Sequence, residues 1–225
     1  IVAAFSSRSK IGVSFVLNQQ VFAYKPSFGS ALSVTIEETV KIRKGNYLVF
    51  FPSYEMMESV YGAFIESGIA KDCVCKLQNN NMSEEDREAF LAEFDKEQEQ
   101  PLLGFCVMGG IFSEGIDLTE EKLIGALIVG TGLPRVCTER EILKQYFDER
   151  GLGGFDYAYL YPGMNKVLQS AGRVIRTASD KGCVLLLDER FGRNEYKKLF
   201  PREWKQPVFG NISDLPNILE NFWKD

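Results

Sequence analysis

The residues with the clearest chemical potential lie near the end of the chain. Gln169, Arg173 and Arg176 stand at positions i, i+4 and i+7 of the stretch QSAGRVIRTASDKG, residues 169–182. In an α-helix these positions form one narrow stripe, because about 3.6 residues make a turn. Arginine stays charged and offers planar, paired donors that suit a phosphate group. The stripe therefore predicts a phosphate-binding pair or, as the alternative, the solvated face of an amphipathic helix.

The same helix is expected to carry a separate apolar stripe that faces the protein core. Its members are Met164, Leu168, Ala171 and Ile175. Gly172 would then lie in the middle of the helix, where glycine costs about 1 kcal/mol relative to alanine. A glycine in such a place permits a ligand or another backbone to approach closely.

A second candidate is the glycine-rich stretch GGIFSEGIDL, residues 109–118, which follows the apolar run LLGFCVM. Gly109, Gly110 and Gly115 predict a flexible loop at the carboxyl end of a strand, where parallel sheets bind ligands. Glu114 and Asp117 add carboxylates that could hold a ribose hydroxyl, a basic partner or a water. The stretch matches neither the P-loop nor the dinucleotide fingerprint, because no Gly-Lys-Ser/Thr follows and the glycine spacing differs.

A third candidate follows the apolar run YLVFFP. A hydroxyl and backbone N–H groups at Ser53 could hold a phosphate without reading sequence. The ring of Tyr54 could stack on a nucleic-acid base. The alternative is structural, with Ser53 as a helix N-cap and Tyr54 as a packing residue in the first turn.

Composition limits the kinds of site that the chain can build. Its 225 residues include 26 basic and 31 acidic side chains, a net charge of −5, so a polyanion site must be a local patch. Histidine is absent, which excludes histidine-based acid–base catalysis and histidine-containing metal sites. We predict no metal site, because Cys73 and Cys75 lack a second pair at metal-ligand spacing.

The cysteine content and the apolar runs favour a cytosolic location for the protein. The five cysteines are odd in number and lie mostly in apolar runs, which favours a reducing compartment over a disulfide framework. No apolar run reaches membrane length, and no signal peptide is visible. Because the sequence begins with Ile1, we interpret it as a processed or excised segment.

Strand-like runs alternate with helical patterns after residue 45. The predicted strands are 47–51, 73–77, 102–108, 124–129, 159–161 and 183–187. Helix starts are predicted at Ser83 and, through a capping box with Glu141, at Thr138. The alternation predicts an α/β domain with a mainly parallel central sheet and helices on both faces. We assign residues 45–225 to this domain and residues 1–44 to a leader or to the end of an inserted or connecting region.

Taken together, three stretches resemble motifs IV, V and VI of the second motor domain of XPD/DinG-type DNA helicases in superfamily two. They are GNYLVFFPSYEMMESV, GGIFSEGIDL and QSAGRVIRTASDKGCVLLLDERF, and the similarity covers about residues 45–200. Motif VI, Gln-x-x-Gly-Arg-x-x-Arg before Asp-x-Gly and an apolar strand, is the most specific. The resemblance implies a RecA-like three-layer sandwich that closes over ATP bound by a first motor domain.

The resemblance also implies roles for individual residues. Arg173 would be the arginine finger on the γ-phosphate, and Arg176 its neighbour on phosphate or on an interdomain carboxylate. Gln169 would orient a water, the nucleotide or a neighbouring motif, and Gly172 would belong to the same set of residues for ATP binding and coupling. In the motif V loop, Gly115 and Asp117 would link nucleotide state to the DNA track, and Glu114 would stabilise the loop or pair with a motif VI arginine. Ser53 and Tyr54 would belong to the DNA track.

The implied partners are single-stranded or forked DNA and the N-terminal motor domain of the same protein, with no membrane. ATP with Mg²⁺ would be bound mainly by that N-terminal domain, because this chain has no Walker A sequence and no DEAH-type box. An iron–sulfur cluster could sit in the N-terminal part, but not in this chain. We therefore expect the isolated segment to be inactive. The whole protein would move 5′ to 3′ in the cytoplasm, on the nucleoid in a bacterium, or in the nucleus of a eukaryote.

Two other function classes stay open. A non-motor RecA-like module could use the same basic helix face to bind an acidic partner. A different phosphoryl-handling enzyme could have its whole active site inside this chain, but the sequence offers no base or metal cluster for it. The upstream sequence separates these classes, because a Gly-Lys-Ser/Thr motif with a DEAH-like box would indicate a helicase.

Overall fold

A central sheet organises the fold. The structure, a computed structural model, describes residues 2–6, 26–112, 118, 122–174, 181–204 and 207–224. The strands are β1 (Val2–Ser6), β2 (Asn46–Phe51), β3 (Val74–Leu77), β4 (Leu102–Val107), β5 (Gly125–Val129) and β6 (Lys181–Leu187). Their order across the sheet is β1-β6-β5-β2-β4-β3. The five strands β2 to β6 run parallel, and β1 joins the edge antiparallel to β6.

In the described part of the chain, seven α-helices connect and cover the strands. They are α1 (Pro26–Ile42), α2 (Tyr54–Glu66), α3 (Glu84–Ala92), α4 (Thr138–Asp148), α5 (Tyr161–Ala171), α6 (Asn194–Lys197) and α7 (Leu215–Lys224). Every residue of β4 and of β5 is buried. Both faces of a parallel sheet must be covered, so its strands read as continuous apolar runs.

Two apolar clusters lie on the two faces of the sheet. Val49, Phe51 and Phe105 belong to the cluster that contains buried residues of α1, α2 and α7. Leu48 and Phe50 belong to the other cluster, with buried residues of α3 and α5. Alternate residues of one strand thus point to opposite layers, as the period of two in a strand requires. The predicted three-layer α/β architecture is confirmed.

The helix α1 precedes the predicted start of the domain at residue 45. Its residues Leu32, Ile36 and Val40 are buried in the cluster that also covers the central strands. This helix is an integral part of the layer formed by α2 and α7. The division at residue 45 stays a prediction about domain organisation, and the packing ties 29–42 to the sheet.

Two local predictions are wrong. Residues 159–161 were predicted as a strand, but Asp156–Leu160 form a π-helix that continues into α5. A short apolar run such as YAYLY fits a strand or a buried helical turn equally well by periodicity. Cys137, not Thr138, is the N-cap of α4, and it makes no side-chain cap. Glu141 instead accepts a 2.6 Å hydrogen bond from Tyr159 Oη.

The predictions about the start of α3 and its buried aromatic residues are confirmed. Ser83 caps α3 and forms a capping box with Asp86. Phe90 and Phe94 are buried, as their spacing predicts. All five cysteines are free thiols. Within the described part of the chain, no helix combines the length and the apolar character needed to cross a membrane.

Candidate functional site

The carboxyl edge of the sheet gathers two of the three predicted sites. Parallel strands end on the same side, so the segments after β2 and β4 begin next to each other. Ser53 and Tyr54 follow β2, whereas Gly109 and Gly110 follow β4. Phe51 pairs with Val107 across the two strands, which fixes this proximity.

Ser53 is the N-cap of α2. Its backbone is extended, with φ −155° and ψ 157°, and its Oγ accepts a 3.2 Å hydrogen bond from the Met56 N–H. This geometry satisfies one of the N–H groups that a helix start leaves without an internal partner. Ser53 therefore acts as a helix N-cap, which is the structural alternative predicted for it. Ser53 is also exposed to solvent, so a phosphate contact at this residue stays a prediction.

Tyr54 is held by a buried glutamine. Gln78 Nε2 donates a 2.8 Å hydrogen bond to Tyr54 Oη, and Gln78 Oε1 accepts a 2.8 Å hydrogen bond from the Val107 N–H. Burial raises the pKa of Tyr54, while the hydrogen bond from Gln78 acts in the opposite direction. The phenol is neutral near pH 7 and keeps its own proton to donate.

The glycine-rich stretch after β4 passes close to α5. Gly109 adopts φ +71°, a backbone conformation that favours glycine. A Cβ on Gly109 would lie 3.2 Å from Lys166 Cε, so the loop runs against the stem of this α5 lysine. The remaining predicted members of the loop, Glu114, Gly115 and Asp117, lie outside the described residues.

The predicted arginine helix ends earlier than its pattern indicates. α5 stops at Ala171, and Gly172 is its C-cap with an ordinary helical φ of −67°. The N–H groups of Arg173 and Val174 then bond to Ser170 O and Ala171 O, which is the tighter i to i−3 pattern. The predictions of one helical stripe through Arg173 and of a mid-helix Gly172 are therefore wrong.

Gln169 and Arg173 still lie together at this helix end. Arg173 Nε donates a 3.2 Å hydrogen bond to the backbone oxygen of Gln169. Gln169 and Gly172 are exposed, and Arg173 is half-buried. A Cβ on Gly172 would meet only backbone oxygens of α5, among the residues that the structure describes. Arg176 lies outside the described residues.

The two candidate regions lie at opposite ends of α5. Its first turn touches the carboxyl edge, where a Cβ on Gly163 would lie 2.7 Å from Thr131 O. The turn after its last residue reaches the amino edge, where a Cβ on Gly182 would overlap Val174 and lie 3.0 Å from Ile124 O. Eleven helical residues span about 16 Å. The helix therefore separates Arg173 from Tyr54, and Lys166 contacts the intervening loop.

Sequence reasoning missed several polar residues at the carboxyl edge. Gln78 directly follows the short strand β3, and Asp188 directly follows β6. Asp188 is buried and holds Arg190 through contacts that include a 2.7 Å ion pair between Oδ2 and Nη2. A polar residue that immediately follows an apolar strand is the signal that identifies both. Among the described residues, no group of three or more acidic or cysteine side chains could hold a metal ion.

Known proteins share this fold and sequence pattern. The Regulator of telomere elongation helicase 1 homolog of Drosophila sechellia is 30% identical over 203 residues, 85% of this chain and 20% of that protein. The ATP-dependent DNA helicase CHL1 of Yarrowia lipolytica is 26% identical over 202 residues, 79% of this chain and 25% of that protein. A solved XPD helicase structure superposes with a TM-score of 0.67 at 22% identity, covering 88% of this chain and 35% of that one.

These similarities extend over most of this chain but over a small part of the relatives. The chain spans about a fifth to a quarter of the length of the curated relatives that it matches. The likeness to the XPD helicase structure supports the RecA-like form of the three-layer fold. The helicase C-terminal domain family matches residues 36–207, which include the candidate sites at both ends of α5. This chain belongs to the helicase C-terminal domain family.

Proposed function

We propose that this chain is the C-terminal motor domain of an ATP-dependent DNA helicase, and that a preceding motor domain completes its ATP site. The observation that carries the proposal is the family match across residues 36–207, which includes the end of α5 with Gln169 and Arg173. The relative CHL1, an ATP-dependent DNA helicase by name, supports DNA as the substrate.

The ATP side of the proposal rests on the end of α5. Arg173 is anchored to the helix by its bond to Gln169 O, and the adjacent side chain of Gln169 is exposed. Such a preorganised guanidinium fits a phosphate through charge and planar donors. Bound ATP with Mg²⁺ supplies the phosphoryl group on which negative charge must be stabilised. Arg173 would act on that charge as an arginine finger, which contributes on the order of 10³-fold in rate.

Three further residues would contribute to the ATP site. Arg176 would act beside Arg173 on phosphate or on a carboxylate of the preceding domain. Gln169 would orient a water or the nucleotide. The exposed Gly172 would leave room for the preceding domain, because among the described residues a Cβ at this position would meet only the backbone oxygens of Leu168 and Gln169.

The DNA side of the proposal rests on the carboxyl edge. Ser53 and Tyr54 begin α2 at the surface, where backbone N–H groups and two hydroxyls can meet a phosphate. Because the chain is acidic overall, we propose a narrow DNA track to which the preceding domain contributes most of the affinity. Motion along the track would be 5′ to 3′, in the nucleoid or the nucleus.

Coupling between the two sides would run along α5 and the glycine-rich loop. Gly109 lies against Lys166 in the middle of α5, so a shift of the loop would press on the helix whose end directly precedes Arg173. We propose that Gly115 and Asp117 transmit the nucleotide state through this contact, with Glu114 stabilising the loop. Any iron–sulfur cluster of the whole protein would belong to its N-terminal part.

ATP hydrolysis by the separate parts tests the proposal. The isolated 225-residue chain should hydrolyse ATP no faster than buffer, with or without single-stranded DNA. The complete protein should show DNA-stimulated turnover and unwind a forked duplex. Robust DNA-stimulated turnover by the isolated chain would contradict the half-motor proposal, and a complete protein without ATPase activity would contradict the helicase function.

A non-motor interaction module is the second candidate, and one observation favours it. The helix α4 has no buried residue, and Val136 and Ile142 are 78% and 63% exposed. Exposed apolar side chains in one region are typical of protein-binding surfaces. A complete protein that binds neither ATP nor DNA would favour this candidate.

A further inference from the structure

The side chain of Gln78 continues the sheet where β3 ends. Its backbone N–H donates to Phe105 O over 2.8 Å, which is a regular bond to β4. Two residues further along β4, the N–H of Val107 donates a 2.8 Å hydrogen bond to Gln78 Oε1. Gln78 is 2% exposed, so both bonds are shielded from water. The amide is thereby fixed in one orientation, because a backbone N–H can bond only to its oxygen.

The orientation of the Gln78 amide determines which of its atoms faces the hydroxyl of Tyr54. With Oε1 on Val107, the amide nitrogen must face Tyr54, and Nε2 donates to Tyr54 Oη over 2.8 Å. The phenol oxygen then acts as acceptor toward the protein, which leaves the phenol proton to be donated elsewhere. Donation to Oη also polarises the O–H group and strengthens its own donor power.

The same amide touches the start of the glycine-rich loop. A Cβ on Gly110 would lie 3.0 Å from Gln78 Nε2, so the loop backbone lies directly on the amide. A larger residue at 110 would displace the amide from Tyr54. Gln78 therefore links the first turn of α2 to the end of β4 by hydrogen bonds, and it also contacts the start of the loop.

We propose that Gln78 is a positioning residue for DNA binding: its amide accepts from Val107, donates to Tyr54, and so directs the Tyr54 hydroxyl proton outward to a backbone phosphate of single-stranded DNA. This inference rests on the proposed function, because it takes Tyr54 as a DNA contact. A phosphate contact of this kind is independent of base sequence.

Three variants of the complete protein test the inference. Gln78→Glu keeps an oxygen for Val107 but removes the donor, so Tyr54 turns its proton inward to the carboxylate. Tyr54→Phe removes the hydroxyl. Each change should weaken single-stranded DNA binding about tenfold, as expected for loss of a hydrogen bond to a charged group. The double variant should be no weaker than Tyr54→Phe alone, because both changes remove one interaction.

The readouts separate positioning from general structural support. The DNA concentration for half-maximal ATPase stimulation should rise about tenfold in Gln78→Glu, while kcat at saturating DNA stays within about twofold. Gln78→Met removes both amide bonds without adding charge, so the phenol of Tyr54 loses the donor that holds it in place. This variant should also raise the DNA concentration for half-maximal stimulation while leaving kcat nearly unchanged, and it serves if the glutamate variant does not fold. Gln145→Glu on the exposed helix α4 is the matched control and should change neither value.

Specific outcomes would overturn the inference. Additive losses in the double variant, or normal DNA binding in folded Gln78→Glu or Gln78→Met, would show that Gln78 does not act through Tyr54. Normal DNA binding by Tyr54→Phe would overturn it as well, while leaving the helicase proposal intact. Absence of DNA-stimulated ATPase in the unmodified protein is a different result, because it contradicts the proposed function itself.

Discussion

Arg173 Nε donates a 3.2 Å hydrogen bond to the backbone oxygen of Gln169, one turn earlier in α5. The backbone N–H of Arg173 bonds to Ser170 O, so it does not serve Gln169 O as it would in a regular helix. The side chain replaces that missing donor and places a cation at the helix carboxyl terminus, where the helix dipole favours it. The contact fixes the arginine on a rigid element.

Replacement of this arginine tests its proposed role in ATP hydrolysis. In the complete protein, Arg173→Ala should lower kcat for DNA-stimulated ATP hydrolysis on the order of 10³-fold, because the charge on the transferring phosphoryl group loses its cation. The Kd for single-stranded DNA should stay within about twofold, because Tyr54 lies at the other end of α5. Steady-state ATPase assays and fluorescence anisotropy measure the two effects.

Arg193→Ala is the control for loss of one positive charge. Arg193 makes a long surface ion pair with Glu189, 3.7 Å between Nη2 and Oε1, and such exposed pairs contribute little to stability. This variant should hydrolyse ATP at the unmodified rate. Unchanged turnover in Arg173→Ala would contradict the arginine-finger role.

A substitution of Gly172 tests whether another domain approaches the end of α5. Gly172→Ala should change the free energy of unfolding of the isolated chain by no more than about 1 kcal/mol, because φ is helical and, among the described residues, the new Cβ meets only the oxygens of Leu168 and Gln169. In the complete protein the same methyl group should lower kcat for ATP hydrolysis, because it occupies the proposed interdomain contact. Chemical denaturation and ATPase assays provide the measurements.

Gly62→Ala is the matched change inside a helix. A Cβ at Gly62 would meet no atom within 4 Å among the described residues. Both stability and turnover should tolerate this substitution. If Gly172→Ala also leaves turnover unchanged, the proposed approach of the preceding domain at Gly172 is wrong.

Two substitutions of Ser53 distinguish its role as a structural cap from its proposed role as a DNA contact. Ser53→Ala should lower the free energy of unfolding by about 1 kcal/mol, because the Met56 N–H loses its acceptor. Ser53→Asp should restore stability, since aspartate is an equally good N-cap, and should weaken DNA binding through repulsion of the phosphate. Denaturant titrations and DNA-binding curves on the complete protein report the two quantities.

The other serine cap provides the reference for this experiment. Ser83 caps α3 through the Asp86 N–H over 3.1 Å, at a site with no proposed DNA role. Ser83→Ala should therefore lower stability by a similar amount without changing DNA affinity. Unimpaired DNA binding by Ser53→Asp would leave Ser53 with the capping role alone.

The cysteines should differ in reactivity according to burial. Burial raises the pKa of Cys183 to about 12 and that of Cys106 well above its usual range. A raised pKa means less thiolate at any pH below it, so both thiols should react slowly with iodoacetamide between pH 7 and 9 in the folded protein. The exposed Cys137 should react first.

Peptide mapping by mass spectrometry measures this order. In denaturant, where burial is lost, all five cysteines should react at similar rates that rise as the pH approaches about 8.5. Fast labelling of Cys106 in the folded protein would show that β4 opens, which contradicts its complete burial in the sheet.

Local sequence patterns determined most of the architecture. Apolar runs of strand length, separated by helical patterns, led to the parallel sheet and its two helical layers, because a strand covered on both faces must be apolar throughout. The serine before the acidic turn at 84–86 indicated the start of α3, since N-caps act within one turn. Residue types alone also marked Gln169 and Arg173 as candidates for phosphate chemistry.

Tertiary structure decided where those residues lie. The end of α5 at Ala171 depends on a tightened last turn at the edge of the sheet, and helical periodicity carries no signal for it. The distance between Tyr54 and Arg173 was not predictable either, because the direction of the strands in the folded sheet places these residues at opposite edges. Gln78 gained its partners only when β3 was placed beside β4. Side-chain chemistry is a local property, whereas proximity arises from contacts between residues distant in the chain.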